Sequence, residues 1–129
     1  MKKELLSPGN RVLGDNREIT LIELGQEAVD NTGTSWPYER LEGILITTEL
    51  LTNNGYLSRS IKVQNGAIRS DFVKLITISD IEFFTVSLGY LEPGKWRLEI
   101  LDRNHQQVCL GTITFWHTLQ NLINAHVLC

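Results

Sequence analysis

The chain has 129 residues, 42% of them hydrophobic and 21% charged, with a formal net charge of −3. That length fits a single domain, 1–129, able to bury a core without metals or disulfides as staples. The composition excludes a disordered or fibrous chain, and the net acidity argues against a protein that coats nucleic acid or an anionic membrane.

The start, MKKELLSPGN, carries no apolar h-region before Pro8, so it does not read as a secretory signal. No apolar run approaches the ~18–20 residues of a membrane helix. Two cysteines, Cys109 and Cys129, are too few for a disulfide framework. A reducing, cytoplasmic location follows as the expectation.

Along the chain, REITLIEL is rich in β-branched residues and predicts a strand. The polar run VDNTGTSW follows, and then Trp36-Pro37 demands extended backbone. GILITTELL (Gly43 to Leu51) carries both signals, helical spacing at Leu41, Ile44, Leu45 and Thr48 and a β-branched run from Ile44. The β-branched residues favour a strand.

Two Asn-Gly dipeptides, Asn54-Gly55 and Asn65-Gly66, flank YLSRSIKVQ and predict hairpin turns. A two-residue turn at Asn65-Gly66 would set Val63 opposite Ile68 and Lys62 opposite Arg69. The second pair is unfavourable unless an acid or anion lies between the two cations. The apolar stretch from Phe72 to Leu88 breaks at Ser79-Asp80 into two strands. GKWRLEIL alternates, with Trp96, Leu98 and Ile100 on one face and Arg97 and Glu99 on the other. VCLGTITFW returns as its partner across the polar DRNHQ loop. The tail HTLQNLINAHVL predicts a helix capped by Thr118, with Leu119, Leu122, Ile123 and Val127 forming its apolar face. Gln120, Asn121 and Asn124 lie away from that face.

The expected fold is mainly β, at the margin of α+β. It consists of about six to eight antiparallel strands in a sandwich or partly open barrel, with a short C-terminal helix. No helix of crossover length separates the strands, which argues against parallel α/β architecture.

VDNTGTSW is the one stretch that resembles catalytic signatures. Asp30, Thr32, Gly33 and Thr34 resemble the Asp-Lys-Thr-Gly-Thr loop of P-type ATPases and haloacid-dehalogenase relatives, where the aspartate is a nucleophile. Here the lysine is Asn31, and ELGQEA precedes it instead of a buried strand. Asn31-Thr32-Gly33 also resembles the Asp-Thr-Gly loop of retroviral-type aspartic proteases. The catalytic position is again Asn31, an amide that cannot share a proton in a carboxylate dyad. The same letters are turn and cap formers, and the stretch reads as a turn.

Charge is unevenly placed. From Glu18 to Glu49 seven acids face the single base Arg40, net −6. From Leu51 to Ser79 the bases Arg59, Lys62, Arg69 and Lys74 face only Asp71, net +3. These four bases, with Tyr56 or Phe72 for stacking, are the candidate anion or nucleic-acid surface. Acidity and sparse aromatics favour a solvated face. Trp36, Trp96 and Trp116 are candidates to line an apolar ligand pocket, or else core anchors. Cys109, His117, His126 and Cys129 lack the short spacings of zinc knuckles, so no metal and no cofactor is expected.

The functional expectation is a non-catalytic protein-interaction or accessory module, able to self-associate as a homodimer. The alternative is a small-molecule-binding β-barrel, and an acid-dependent hydrolase comes third. Protein or self is the expected partner, without nucleic acid or membrane.

Overall fold

Ten strands and two helices follow one another along the described residues of the computed structural model, which are 1–62, 66 and 68–127. The side chains of Ile61, Lys62, Ile68 and Arg69 lie outside that description. In chain order the elements begin with β1 (Arg11–Gly14), β2 (Arg17–Leu24), β3 (Ala28–Asp30), β4 (Ser35–Trp36) and β5 (Leu41–Glu42). There follow α1 (Thr48–Asn53), β6 (Leu57–Lys62), β7 (Ile68–Thr77), β8 (Phe83–Glu92), β9 (Lys95–Leu101), β10 (Gln107–Ile113) and α2 (Trp116–His126). Short 3-10 turns occupy Lys3–Leu5 and Tyr38–Arg40.

The strands form two antiparallel five-stranded sheets, ordered β4-β3-β2-β1-β5 and β10-β9-β8-β7-β6, one of them a half-barrel. The protein is therefore mainly β, as its alternating strand runs and lack of crossover helices predict. Among the described residues no helix is long and apolar enough to cross a membrane. Contacts divide the chain into two compact units, Met1–Leu45 with Phe115–Asn124, and Ile46–Thr114 with Ala125–Cys129.

In the first unit β1 and β2 form a hairpin across Asp15-Asn16, whose φ values of +51° and +65° are those of a type I′ turn. Arg40 forms an ion pair with Asp15, and Arg11 with Glu18. Of the seven acids from Glu18 to Glu49, Glu18 thus finds a counter-charge in Arg11, while the base Arg40 of that segment pairs outside it. Leu6, Val12, Leu21, Ala28, Trp36 and Leu41 form the core. Polar side chains of α2 fasten the N-terminal segment. Gln120 accepts from the Arg11 N–H at 2.9 Å, and the Asn10 amide donates to Asn121 Oδ1 at 2.8 Å.

In the second unit the register follows the alternation of GKWRLEIL. Trp96, Leu98 and Ile100 are buried, and Leu98 and Ile100 pair with Leu88 and Val86. Each such fully buried side chain contributes roughly 1.5–3 kcal/mol of transfer free energy. Trp96 meets Phe72 and Tyr90 edge-on, with centroids 6.0 and 5.6 Å away, and its indole N–H donates to the Ile46 carbonyl at 3.0 Å.

Four local expectations are corrected. Among the described residues GILITTELL holds no strand, and an isolated bridge at Leu45 is its only β pairing. Thr47 accepts the Leu50 N–H at 3.1 Å and caps α1, so the segment's second half is helix. Asn54-Gly55 is not a hairpin turn, because Asn54 caps the end of α1 and Gly55 takes φ +88° as the chain leaves for β6. Lys62 pairs with Ile68 and Ile61 with Arg69, so the two cations are not opposite each other, and Ile68 faces Lys62 rather than Val63. Gly66 has φ +83°, whereas Val63 and Asn65 lie outside the described residues. Finally, α2 begins at Trp116, placing Thr118 inside the helix rather than at its cap. The Trp116 N–H is taken by the Ile44 carbonyl at 2.8 Å.

Candidate functional site

VDNTGTSW spans the connection between β3 and β4, and its chemistry is consumed internally. The Asp30 carboxylate is 3% exposed. Its Oδ1 accepts from the Thr32 hydroxyl at 2.6 Å and from the Thr32 and Thr34 N–H groups at 2.9 and 3.0 Å. Its Oδ2 accepts the Trp36 indole N–H at 2.9 Å. The Thr32 hydroxyl, then the Trp36 indole, pull its pKa down to about 2. A carboxylate whose charged form is held this way is a poor proton carrier and serves as a turn anchor. Gly33, at φ +86°, allows the reversal. Asn31 is exposed.

The four bases do not share one face. Arg59 pairs with Asp71, which pairs with Gly89, and Gly89 pairs with Arg97. Lys74 pairs with Val86, and Val86 with Ile100, on the opposite face. Lys74 donates to the Asn54 carbonyl at 2.9 Å and lies 5.6 Å from the Tyr56 ring centroid, so it closes the end of α1. Burial raises the Tyr56 pKa, keeping the phenol neutral. Lys62 pairs with Ile68 and Arg69 with Ile61 in the β6–β7 ladder, and the side chains of Lys62 and Arg69 lie outside the description. Trp36, Trp96 and Trp116 are each buried, and none of them lines either of the two cavities described next.

The larger cavity is a groove of about 970 Å³ in the first unit. Its walls are mainly apolar, including Leu5, Leu13, Leu41, Ile44, Leu45 and Phe115. Glu4, Glu42, His117, Thr118 and Asn121 supply the polar groups. One wall is formed by Glu4 and Leu5 of the 3-10 turn, held by Asn121, whose amide donates to the Leu5 carbonyl at 3.0 Å. Another is the stretch beyond β5, where Leu45 bridges to Phe115. Gly43 makes that approach feasible, since a Cβ there would lie 2.5 Å from Phe115 Cδ1. Leu5, Leu45 and Phe115 are 55%, 53% and 36% exposed, an unusual concentration of large apolar side chains at one opening.

His117 stacks on Phe115 with centroids 5.6 Å apart and rings 17° from parallel. It is 4% exposed, and its Nδ1 has no hydrogen-bond partner among the described residues. Burial lowers its pKa, so the ring is neutral at pH 7. None of these groove residues emerges from the sequence as a site candidate, although His117 is considered there as a metal ligand. The overlooked signal lies in α2. WHTLQNLINAH contains no acid, lysine or arginine, which is unusual for a solvated helix face.

The second cavity, about 480 Å³, lies in the second unit and includes Ile81, Phe83, Asp102, Arg103 and His126. Asp102 is already engaged by the Asn104 and Gln106 N–H groups at 2.8 and 2.9 Å, and Arg103 by the Ile81 carbonyl at 2.8 Å. Among the described residues no three His, Cys, Asp or Glu side chains converge as metal ligands. The Cys109 thiol is free, and burial pushes its pKa up. Cys129 lies outside the described residues. Compared with known protein families, curated proteins and solved structures, the chain matches none.

Proposed function

We propose that the protein is a non-catalytic binding module whose first unit holds a small, largely apolar molecule in the groove beside α2. The observation that carries this reading is the groove itself. Its volume of about 970 Å³, apolar walls and few polar groups match the character of small-molecule sites. No pair of activated groups supports a reaction there, and the Asp30 carboxylate is committed to its own turn. The free thiol of Cys109 supports a reducing, cytoplasmic setting.

Titration with a neutral apolar dye such as Nile red tests this reading. Saturating dye at about 100 times its dissociation constant should stabilise the protein by roughly 2.7 kcal/mol. Leu45→Arg, at an exposed wall position, should weaken dye binding at least tenfold without lowering the melting temperature. Dye binding indifferent to Leu45→Arg would refute the assignment of the groove.

A second reading, self-association or docking to a protein partner, is favoured by the sheet of the second unit. The row Leu57, Val73, Ser87, Glu99, Leu110 runs across all five strands on one face. Leu57 and Leu110, on its two edge strands, are 73% and 54% exposed. Light scattering over a concentration series tests it. A mass that rises with concentration in the native protein, and not in Leu57→Lys/Leu110→Lys, supports this face as the interface. A constant monomer mass excludes self-association.

A further inference from the structure

The polar groups of the groove restrict the head group of its ligand, given the small-molecule reading above. We infer that the groove takes an amphipathic ammonium compound, an apolar body with a cationic, hydrogen-bond-donating head, and discriminates against the corresponding carboxylate.

Some of the donors at and beside the groove are already engaged. The Asn121 amide donates to the Leu5 carbonyl, and the Trp116 N–H at the start of α2 donates to the Ile44 carbonyl. The Met1 ammonium donates to the Tyr38 carbonyl at 2.8 Å. Asn121 Oδ1 is occupied as well, accepting from Asn10. The Glu4 and Glu42 carboxylates, by contrast, are exposed and have no hydrogen-bond or ion-pair partner among the described residues. No lysine or arginine lines the groove among the described residues. His117 adds no charge at neutral pH, because burial holds its ring neutral.

Two features oppose a cation. Met1 lines the groove, and its ammonium keeps its full charge while it donates to the Tyr38 carbonyl. The N-terminal end of α2 carries a fraction of a positive charge, roughly half an elementary charge. Two full carboxylates outweigh the two together, and the first N–H of the helix is already directed at the Ile44 carbonyl. An anionic head would meet two like charges with no lysine or arginine side chain among the described residues to receive it. An ammonium would meet two acceptors at the mouth while its apolar body lies along Leu5, Leu45 and Phe115.

Three ligands with one body and different heads make the test: octylamine, octanol and octanoate, measured by calorimetry at pH 7 and low salt. Each exposed carboxylate contributes roughly two- to five-fold in favour of the ammonium. Octylamine should therefore bind more tightly than octanol, and octanoate more weakly. In Glu4→Gln/Glu42→Gln the preference for octylamine should be lost, because the Met1 ammonium and the start of α2 then leave any remaining bias toward octanoate. Both positions are exposed, so the variant should keep its melting temperature. The native preference should also shrink in high salt.

Octanoate binding as tightly as octylamine to the native protein overturns the inference, as does a preference for octylamine that survives in the double variant. Either result leaves the small-molecule reading standing, since octanol still reports the apolar groove. Failure of all three ligands to bind overturns both.

Discussion

Removing Asn10 should unfasten the N-terminal wall of the groove and measure what holds it. Asn10 is fully buried, accepts the Ser7 N–H at 2.9 Å and donates to Asn121 at 2.8 Å. Asn121 in turn donates to the Leu5 carbonyl, so one short chain of bonds runs from the β1 entrance through α2 to the Lys3–Leu5 turn. Asn10→Ala removes two bonds worth about 1 kcal/mol each, a loss of about 2 kcal/mol. With an unfolding entropy near 2.1 cal/mol/K per residue, a chain of 129 residues should lose about 7 °C in melting temperature. Asn121→Ala also removes two bonds, one of which is shared with Asn10. The double variant should then cost less than the sum of the singles by about 1 kcal/mol. Urea unfolding of the four proteins measures this coupling. Singles whose effects simply add, within about 0.3 kcal/mol, would show that the Asn10–Asn121 bond does not hold the two segments together. A ligand titration on the same variants should show weaker binding, because Glu4 and Leu5 lose their fixed position.

Acid should weaken the fold in two windows. The folded pKa of Asp30, about 2, lies below its ordinary 3.8, so its stabilisation is complete above about pH 4. It is lost as pH falls from there toward 2, and Asp30→Asn should flatten urea midpoints across that range. The folded pKa of His117 is also lowered, from an ordinary 6.5, but by burial of a neutral ring. Protonation of the unfolded chain should therefore erode stability as pH drops below about 6.5, and His117→Leu should remove that slope. Thr47→Ala should cost about 1 kcal/mol by uncapping α1, with Thr47→Ser restoring most of it; equal melting temperatures for all three proteins would refute the cap.

The strands were readable where one face is buried and alternation is strict. GKWRLEIL places Trp96, Leu98 and Ile100 inside, as its period of two requires. Hairpin chemistry was readable only in part. The strongest dipeptide, Asn-Gly, at 54–55 serves a helix end, because both roles need the same positive φ. The type I′ turn of the first unit instead uses Asp15-Asn16, whose side chains tolerate positive φ at a small cost and so signal it weakly. GILITTELL misled because propensity is averaged over a window, while the structure divides the segment at one residue, Thr47.

The groove was illegible for a different reason. VDNTGTSW drew attention because catalytic loops and tight turns select the same residues: small, polar, able to bond backbone N–H groups and to accept positive φ. Its concentration of polar letters reflects local demand, met by Asp30 within six residues. An apolar binding site has no such local grammar. Leu5, Leu45 and Phe115 are individually indistinguishable from core residues, and only the fold decides that they meet at an opening. The trace such a site leaves is indirect, in the polar residues required to keep it open. Asn10, Gln120 and Asn121 are neutral amides where solvated positions usually carry charge, because each has a fixed backbone or amide partner more than a hundred residues away. An uncharged polar stripe on a terminal helix is therefore a better pointer to this groove than any motif in the chain.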